Sequence, residues 1–288
     1  MAETLQDVTR FPEAALLTPR VHRVLGLNPS AFTGPGTNTY LVGMDGGTPL
    51  LLDTGSGVPA YADLLQGHLK RAQAPPLARV ILTHGHPDHI GGAADVVRLQ
   101  PRVSVAKTAW PGQDDKFGVE LAPLKDGDVV RGEGYTLRAV FTPGHAPDHL
   151  CFLLEEERAL FTGDVVLGVG TTVIPAESGD MGQYLDSLRR LLALDVRRIY
   201  PGHGPVVEDA QAKITQYLEH RAQRERQILD ELSAGAKRVA EIVKALYRAY
   251  PANLHAAAGQ SVLSHLIKLE REGRVARDGD PPRFTLLH

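Results

Sequence analysis

Three histidines and one aspartate lie within the six residues from His84 to His89, directly after the apolar run Ala78–Leu82. Buried imidazoles and carboxylates are costly unless they are paired or bound to a cation, so packing does not explain this cluster. Histidine and aspartate are good zinc ligands, and a set without thiolates is typical of an open catalytic site rather than a closed structural one. A solvated histidine-rich loop is the alternative that this segment alone leaves open.

Three later segments each place one further candidate ligand after an apolar run. In each, a strand-like stretch is followed by a turn residue and then by a histidine or an aspartate, as expected for a side chain at the end of a strand. Glycines beside these ligands suit tight turns. The resulting set is too large for one tetrahedral zinc ion and suits two ions that share a bridging carboxylate. Its seven members are His84, His86, Asp88, His89, His145, Asp164 and His203.

The segment Thr83–His89 resembles the HxHxDH motif of the metallo-β-lactamase superfamily, and Leu52–Gly55 resembles the strand and turn that precede this motif. The resemblance covers about residues 20–210, with the motifs in the family's order. It implies the α+β class and the metallo-β-lactamase αβ/βα sandwich, with two zinc ions per chain. By position in the motifs, it implies that the first metal is held by His84, His86 and His145 and the second by Asp88, His89 and His203, with Asp164 as the bridge. Asp53 would lie behind the ligands and either steady the loop or orient a ligand.

Four further segments resemble the β-lactamase-like protein 2 group, which has a comparable length and a C-terminal helical extension. This resemblance implies an endoribonuclease that cleaves the phosphodiester bonds of single-stranded RNA. Two zinc ions would make a hydroxide available at neutral pH, and Asp88, which could hold or accept the proton of that water, is predicted to be the general base. The segments are Gly36–Val42, Lys125–Asp128, Leu167–Val173 and Tyr200–Pro205.

Two other functions stay open at this point. Glyoxalase II and acyl-thioesterase or lactonase relatives share these ligands, so a small ester or thioester is the alternative substrate. The third hypothesis is a nucleic-acid-binding or scaffold protein with a vestigial site. The complete set of seven ligands argues against that third hypothesis.

The composition allows one large domain and one small one, with 288 residues and 43% hydrophobic content. The net charge of −3 does not indicate nucleic-acid binding, so RNA would need a local basic patch. Segment 221–288 carries 12 Lys or Arg against 8 Asp or Glu, which predicts either a solvated, mildly positive surface or one that contacts the backbone of single-stranded nucleic acid. The single cysteine, Cys151, excludes an internal disulfide and is predicted to be a buried strand thiol.

The chain is expected to be cytoplasmic, or located in the mitochondrial matrix if it is eukaryotic, and not secreted. No apolar stretch approaches 18 residues, which predicts no membrane span. The first twenty residues carry Glu3, Asp7 and Glu13 and lack the apolar centre of a signal peptide. A single cysteine also fits a reducing compartment.

Alternating strand and helix patterns predict a catalytic domain over residues 1–222 and a winged-helix-like domain over residues 223–288. Within the first, helical periodicity covers residues 60–72, 91–99 and 181–192. A longer helical run over residues 208–232 leads toward the second. The second is predicted to contain helices Val239–Tyr250 and Gln260–Glu272, followed by strands Gly273–Arg277 and Phe284–Leu286.

Other polar residues near the motifs are weaker candidates. Asn38, in the turn Thr37–Thr39, is predicted to contact substrate or stabilise an oxyanion, unless it caps its own backbone. His149 is predicted to hydrogen-bond behind the ligands. Thr171, Thr172 and Trp110 are candidates for lining the mouth of the site. The remaining histidines lack a ligand context and are predicted to be structural or solvated.

Overall fold

The structure, a computed structural model, describes residues 11–287. These residues form two compact units. The first takes residues 11–142, 148–171 and 194–211 of the described chain, and the second takes residues 143–147, 172–193 and 212–287. The boundary between residues 222 and 223 stays a prediction. Glu3 and Asp7, whose charges disfavour a secretion signal, lie outside the described residues.

A seven-stranded sheet in the first unit follows chain order. Its strands are β1 (Ala14–Leu16), β2 (Val21–Leu25), β3 (Asn38–Val42), β4 (Leu50–Leu52), β5 (Arg79–Ile81), β6 (Ser104–Lys107) and β7 (Leu121–Pro123). The first three pairings are antiparallel and the last three are parallel. The parallel part positions the site, because the carboxyl ends of parallel strands open on the same edge.

A five-stranded sheet in the same unit has the order β12-β11-β10-β9-β8. Its strands are β8 (Val129–Gly132), β9 (Tyr135–Phe141), β10 (Leu150–Leu154), β11 (Ala159–Gly163) and β12 (Arg198–Pro201). All pairings are antiparallel except that between β11 and β12. Cys151 is a buried free thiol in β10, as predicted.

The two sheets pack face to face over one apolar core. The ring of Tyr40 in β3 lies 5.1 Å from that of Phe161 in β11 and 5.6 Å from that of Tyr200 in β12, measured between ring centroids. On the other face of the seven-stranded sheet, Leu65 and Val96 belong to a second core, which the helices of this unit cover. These helices are α1 (Pro59–Arg71), the one-turn α2 (Pro87–Ile90) and α3 (Ala93–Leu99). The predicted α+β class, with facing sheets and external helices, is confirmed.

The second unit contains helices and a two-stranded wing. Ile228, Val262 and Phe284 are fully buried in its apolar core, which joins helices to wing. This is the predicted winged-helix-like arrangement. Its elements are α4 (Met181–Leu192), α5 (Ala210–Ser233), α6 (Val239–Leu246), α7 (His255–Arg271), β13 (Val275–Asp278) and β14 (Arg283–Leu286). The first two residues of α5 belong to the first unit.

The predicted helix ends in this unit were partly wrong. Helix α6 ends at Leu246 instead of Tyr250, and α7 begins at His255 instead of Gln260. The first turns of α7 read His-Ala-Ala-Ala-Gly, where alanine favours a helix without giving an apolar stripe. Periodicity therefore missed them. Within residues 11–287, every helix is too short or too polar to cross a bilayer.

Candidate metal centre

Two pairs of parallel strands bring predicted ligands together at sheet edges. Strands β4 and β5 are parallel neighbours, so Asp53 and the loop that begins at Thr83 start from the same edge. Strands β11 and β12 are also parallel neighbours, so the loops of Asp164 and His203 emerge side by side. The backbone N–H of Asn38 donates to the carbonyl of Gly202 over 2.7 Å and links the first sheet to the His203 loop.

The loop from His84 to Gly92 is shaped by a single helical turn. Pro87 is at the start of α2, where its missing N–H removes no helical hydrogen bond. The N–H of His89 donates to the carbonyl of His86 over 2.9 Å, which turns the chain back toward the sheet. At Gly92, a Cβ would lie 2.2 Å from the carbonyl oxygen of Thr54, so only glycine allows this close approach.

Asp53 orients His89 from behind. Its backbone has a φ of +60°, an uncommon conformation for a residue with a side chain. Its Oδ1 accepts the backbone N–H of Thr83 over 2.8 Å, and its Oδ2 accepts from the Thr83 hydroxyl over 2.9 Å and from His89 Nδ1 over 2.8 Å. Because an ionised carboxylate only accepts, neutral His89 carries its proton on Nδ1, which leaves the lone pair on Nε2.

Four ligand atoms converge within the first unit. Nε2 of His89 lies 3.2 Å from Oδ1 of Asp164 and 3.6 Å from Oδ2 of Asp88. Nε2 of His203 lies 3.2 Å from each of the same two oxygens. Ligands at tetrahedral corners around zinc are about 3.4 Å apart, so these separations fit one cation. The buried Nε2 of His89 has no hydrogen-bond partner among the described residues, and a cation would satisfy it.

A second group of ligand atoms surrounds His84. Its Nε2 lies 3.0 Å from Nδ1 of His86, and its Nδ1 lies 2.9 Å from the Thr83 hydroxyl. Since that hydroxyl donates its proton to Asp53, it accepts the Nδ1–H of His84, and the Nε2 lone pair faces His86. The ligand atoms of His84, His89 and Asp164 all lie within 4.8 Å of one another. Asp164 therefore lies within reach of both groups, as a bridging ligand requires.

His145, the seventh predicted ligand, belongs to the second unit. Its Nδ1 lies 2.8 Å from the carbonyl oxygen of Val173, to which it donates, and 3.2 Å from the hydroxyl of Thr172. The lone pair of neutral His145 is therefore on Nε2, the form in which a metal-binding histidine is commonly held. Its role as a ligand of the first metal stays a prediction.

Charges in the cluster favour a bound cation. Burial lowers the pKa of His203, but Asp164 and Asp88 outweigh it and raise this pKa to about 9. Burial also lowers the pKa of His89, and Asp164, Asp88 and Asp53 raise it well above the ordinary value. For Asp88, burial raises the pKa, but His89 and His203 bring it down to about 2. The carboxylates thus require positive charge, which a divalent cation can supply in place of protons.

Metal uptake is expected to release protons and to tighten as the pH rises from 6.5 to 9. In the metal-free protein, His89 and His203 are positively charged imidazolium ions at pH 7 because their pKa values are raised. A cation must therefore displace one proton from each ring. The apparent dissociation constant should fall by about tenfold per pH unit for each displaced proton. Calorimetric titrations with zinc in buffers of different ionisation enthalpy count these protons. Zinc binding without proton release at pH 7 would contradict the charge assignment.

Asp53→Asn is expected to weaken metal binding by about 10- to 100-fold, because it removes the charge that orients His89. Competition with a chromophoric chelator measures this affinity. The matched control is Asp63→Asn, an exposed position on α1. Equal metal affinity in the Asp53 variant and the wild type would show that Asp53 does not set the ligand geometry.

Asn38 and His149 both contact the backbone of ligand loops. Nδ2 of Asn38 donates to the carbonyls of Pro201 and Gly204 over 2.9 and 2.8 Å, on either side of His203. Its amide protons are therefore engaged in fixing that loop. Nε2 of His149 accepts the N–H of Asp164 over 3.2 Å, and its Nδ1 donates to Thr142 over 3.0 Å. His149 thus holds the backbone of a predicted ligand.

A buried lysine below the histidine loop was missed by the sequence reasoning. Nζ of Lys107 lies 2.6 Å from Asp114 and 2.8 Å from Asp148. Asp114 also accepts the backbone N–H of Trp110 over 2.6 Å, and the Trp110 ring centroid lies 5.7 Å from that of His86. The only sequence signal was a lysine at the end of an alternating strand, which ordinarily marks a solvated strand end.

Two family models match the chain. The model described as the Metallo-beta-lactamase superfamily matches residues 32–203, and the model described as the Beta-lactamase associated winged helix domain matches residues 239–283. Among solved structures, a metallo-beta-lactamase family protein from Thermus thermophilus is 25% identical with a TM-score of 0.76 and covers 94% of this chain and 100% of its own. A beta-lactamase domain protein from Burkholderia ambifaria has a TM-score of 0.83 at 23% identity, over 97% and 96% of the two chains, and shows likeness of fold.

Several fungal proteins are similar to this chain over most of its length, and some of their names specify an activity. Lactamase-like protein nscB of Aspergillus fumigatus is 38% identical over 96% of this chain and 86% of its own length. Two proteins called atrochrysone carboxyl ACP thioesterase are also similar. The one from Aspergillus fumigatus is 39% identical over 86% of this chain and 80% of its own, and the one from Emericella nidulans is 41% identical over 84% and 75%.

Proposed function

This chain belongs to the metallo-β-lactamase superfamily, and we propose that it is a metal-dependent hydrolase that cleaves acyl thioesters. The observation that carries the proposal is the similarity, at 39 and 41% identity over most of the chain, to two proteins named as acyl carrier protein thioesterases. The cluster of imidazoles and carboxylates at the sheet edges supports it, because its donor atoms fit metal ions used in hydrolysis.

We propose that two zinc ions are held by the seven ligands predicted from the sequence. His89, His203 and Asp88 would hold one ion, His84, His86 and His145 would hold the other, and Asp164 would be a ligand of both. Bound zinc supplies a Lewis acid that polarises a carbonyl and lowers the pKa of water. Metal analysis by mass spectrometry, together with activity after reconstitution with zinc, manganese or iron, tests the identity and number of the ions.

Hydrolysis adds the oxygen of water to the thioester carbonyl carbon and breaks the carbon–sulfur bond. The products are a carboxylic acid and a thiol, and one proton of water ends on the thiol. Asp88 is ionised at neutral pH because its pKa is about 2, and 27% of its side chain is exposed, whereas His89 is fully buried. Its carboxylate therefore accepts a hydrogen bond from the attacking water and takes up its proton transiently.

RNA cleavage, the function implied by the sequence resemblance, is less well supported. Half of the twelve basic residues in segment 221–288 lie within ion-pair distance of a carboxylate, and Arg221 and Arg224 are buried. Few cations are then left to contact phosphates along a strand, on which nucleic-acid affinity depends. The paired residues are Lys237, Lys268, Arg271, Arg274, Arg277 and Arg283.

A direct test presents the zinc-loaded chain with three substrate classes. Acyl thioesters of N-acetylcysteamine and of an acyl carrier protein report thiol release, a labelled single-stranded RNA reports phosphodiester cleavage, and a lactone reports ring opening. We expect chelator-sensitive thiol release that exceeds the other two activities by at least about tenfold in kcat/KM. Chelator-sensitive RNA cleavage without thiol release would refute the thioesterase proposal and support an endoribonuclease instead.

A further inference from the structure

Two arginines of α5 are buried in the second unit without a carboxylate partner. Arg221 and Arg224 are 3% and 8% exposed, and neither lies in an ion pair with any residue between 11 and 287. A guanidinium does not lose its proton in proteins, so each brings a full positive charge into the interior. Buried charges are normally paired, because removing them from water is costly.

The contacts that these arginines make are incomplete. Arg221 donates from Nη2 to the carbonyl of Thr172 over 2.5 Å, and its guanidinium carbon lies 5.3 Å from the ring centroid of Tyr184. The guanidinium carbon of Arg224 lies 4.2 Å from the ring centroid of Tyr247. In both, the buried Nε–H finds no acceptor within the described part of the chain. Ring faces and one carbonyl offset part of the positive charge but supply no anion.

Two histidines near these arginines also have buried nitrogen atoms without a hydrogen-bond partner in the described part of the chain. Both ring nitrogens of His265 and Nδ1 of His220 are buried without a hydrogen-bond partner among residues 11–287. Burial, followed by Arg221 and Arg224, lowers the pKa of His220 to about 4. Burial and then Arg221 lower the pKa of His265 well below its ordinary value. Both rings are neutral at pH 7. Since neither ring nitrogen of His265 has a partner, its one N–H is open to donate.

The nearest acidic residue in sequence does not balance this charge. Glu225 follows Arg224 on α5, but its carboxylate binds Lys268 of α7 over 2.7 Å and Arg274 over 2.8 Å. It is therefore already neutralised by two cations. The contact between Glu225 and Lys268 also joins α5 to α7 close to His265.

We infer that Arg221, Arg224 and His265 form a binding site for an oxyanion, a carboxylate or a phosphate. Water would satisfy the open N–H groups but would not balance two positive charges. The planar guanidinium matches both oxyanions through paired hydrogen bonds. A carboxylate or phosphate thus accounts for the unpaired charge and for the orphaned donors together.

The position of the site suggests its use. The carbonyl of Thr172 accepts from Arg221, and the next residue, Val173, accepts the Nδ1–H of His145. The anion site is thus joined through two consecutive residues to a predicted metal ligand. The assignment of the anion rests on the proposed function: the oxyanion is an acidic group carried by the thioester substrate.

Thermal unfolding of the full chain with sodium phosphate or sodium acetate, against sodium chloride at equal ionic strength, tests the site without any turnover. We expect each oxyanion to raise Tm by about 3 °C at ten times its dissociation constant, and chloride to leave Tm unchanged. Arg224→Met keeps an aliphatic contact with Tyr247 and removes the charge. It should abolish the oxyanion response and raise the ligand-free Tm.

The matched control is Arg226→Met, an exposed position on the same helix, which should keep the wild-type response. Arg224→Lys provides a second variant that retains the charge but loses the paired hydrogen bonds, so its response should be weakened. An unchanged wild-type Tm in both phosphate and acetate, at concentrations of about 50 mM, would overturn the site. So would a full oxyanion response in Arg224→Met.

A kinetic comparison then tests the link to the substrate. Thioesters with and without a free carboxylate on the acyl group are compared, as are pantetheine and phosphopantetheine thioesters. In the pair of substrates that differ in the anion bound at this site, Arg224→Met should raise KM by about tenfold or more for the anionic substrate only, with kcat little changed. An equal effect on charged and uncharged substrates would refute the substrate role. Failure of all hydrolysis would refute the proposed function and leave the thermal result standing.

Discussion

Asp88→Ala is expected to lower kcat/KM for thioester hydrolysis by about 10²- to 10⁴-fold, the range for loss of a general base. Asp88 offers a carboxylate oxygen to the cluster of predicted ligand atoms, 3.2 Å from Nε2 of His203, and its ionised carboxylate is accessible to water. The fold should persist, since this side chain is part of neither sheet core. Steady-state kinetics with saturating zinc, and circular dichroism of the same sample, measure both effects.

The matched control for this variant is Asp63→Ala, an exposed aspartate on α1 that should retain wild-type kinetics. Asp88→Asn keeps the shape of the side chain and should be almost as inactive as the alanine variant. A wild-type rate in Asp88→Ala at saturating zinc would refute the base assignment.

Asp164→Ala is expected to lower metal affinity by more than about 10²-fold, beyond the 10- to 100-fold expected for a residue that only orients a ligand. The carboxylate of Asp164 lies 3.2 Å from the Nε2 atoms of both His89 and His203, so its loss removes a negative charge from the middle of the cluster. The bound zinc should fall below two ions per chain, and kcat/KM should fall with it. Equilibrium dialysis followed by metal analysis gives the stoichiometry.

Asp164→Asn separates charge from packing, because the amide fills the same space without the charge. Both variants should lose metal to a similar extent. Two zinc ions retained in Asp164→Asn with unchanged affinity would show that this residue is no bridging ligand.

The parts of the site that the sequence predicted were those encoded locally. The His84–His89 motif and the single ligands that follow strands required only recognition of strands and turns, and six of these residues are grouped in the first unit. The place of Asp53 behind the ligands was implied by the resemblance of Leu52–Gly55 to the strand and turn that precede the family motif. Its φ of +60° and its bond to His89 depend on the neighbouring loop, which no local pattern encodes.

Interactions between distant segments were the part that could not be predicted. Lys107 meets Asp148 across 41 positions of sequence, and nothing near either residue indicates that they form an ion pair. The same limit explains the prediction of a basic RNA surface. Counting charges in segment 221–288 gave an excess of cations, but the count ignored which of them face a carboxylate. Lys268 and Arg274, for example, share Glu225.

The ligand loops of the first unit belong to different sheets, and this has a mechanical consequence. Asp88 and His89 follow β5 of the seven-stranded sheet, whereas Asp164 and His203 follow β11 and β12 of the five-stranded sheet. A cation bound by these residues, as proposed, would cross-link the open ends of the two sheets. Protein made under zinc starvation should therefore exchange amide hydrogens faster at these strand ends and be digested sooner by proteases, even where the remainder of each layer stays folded.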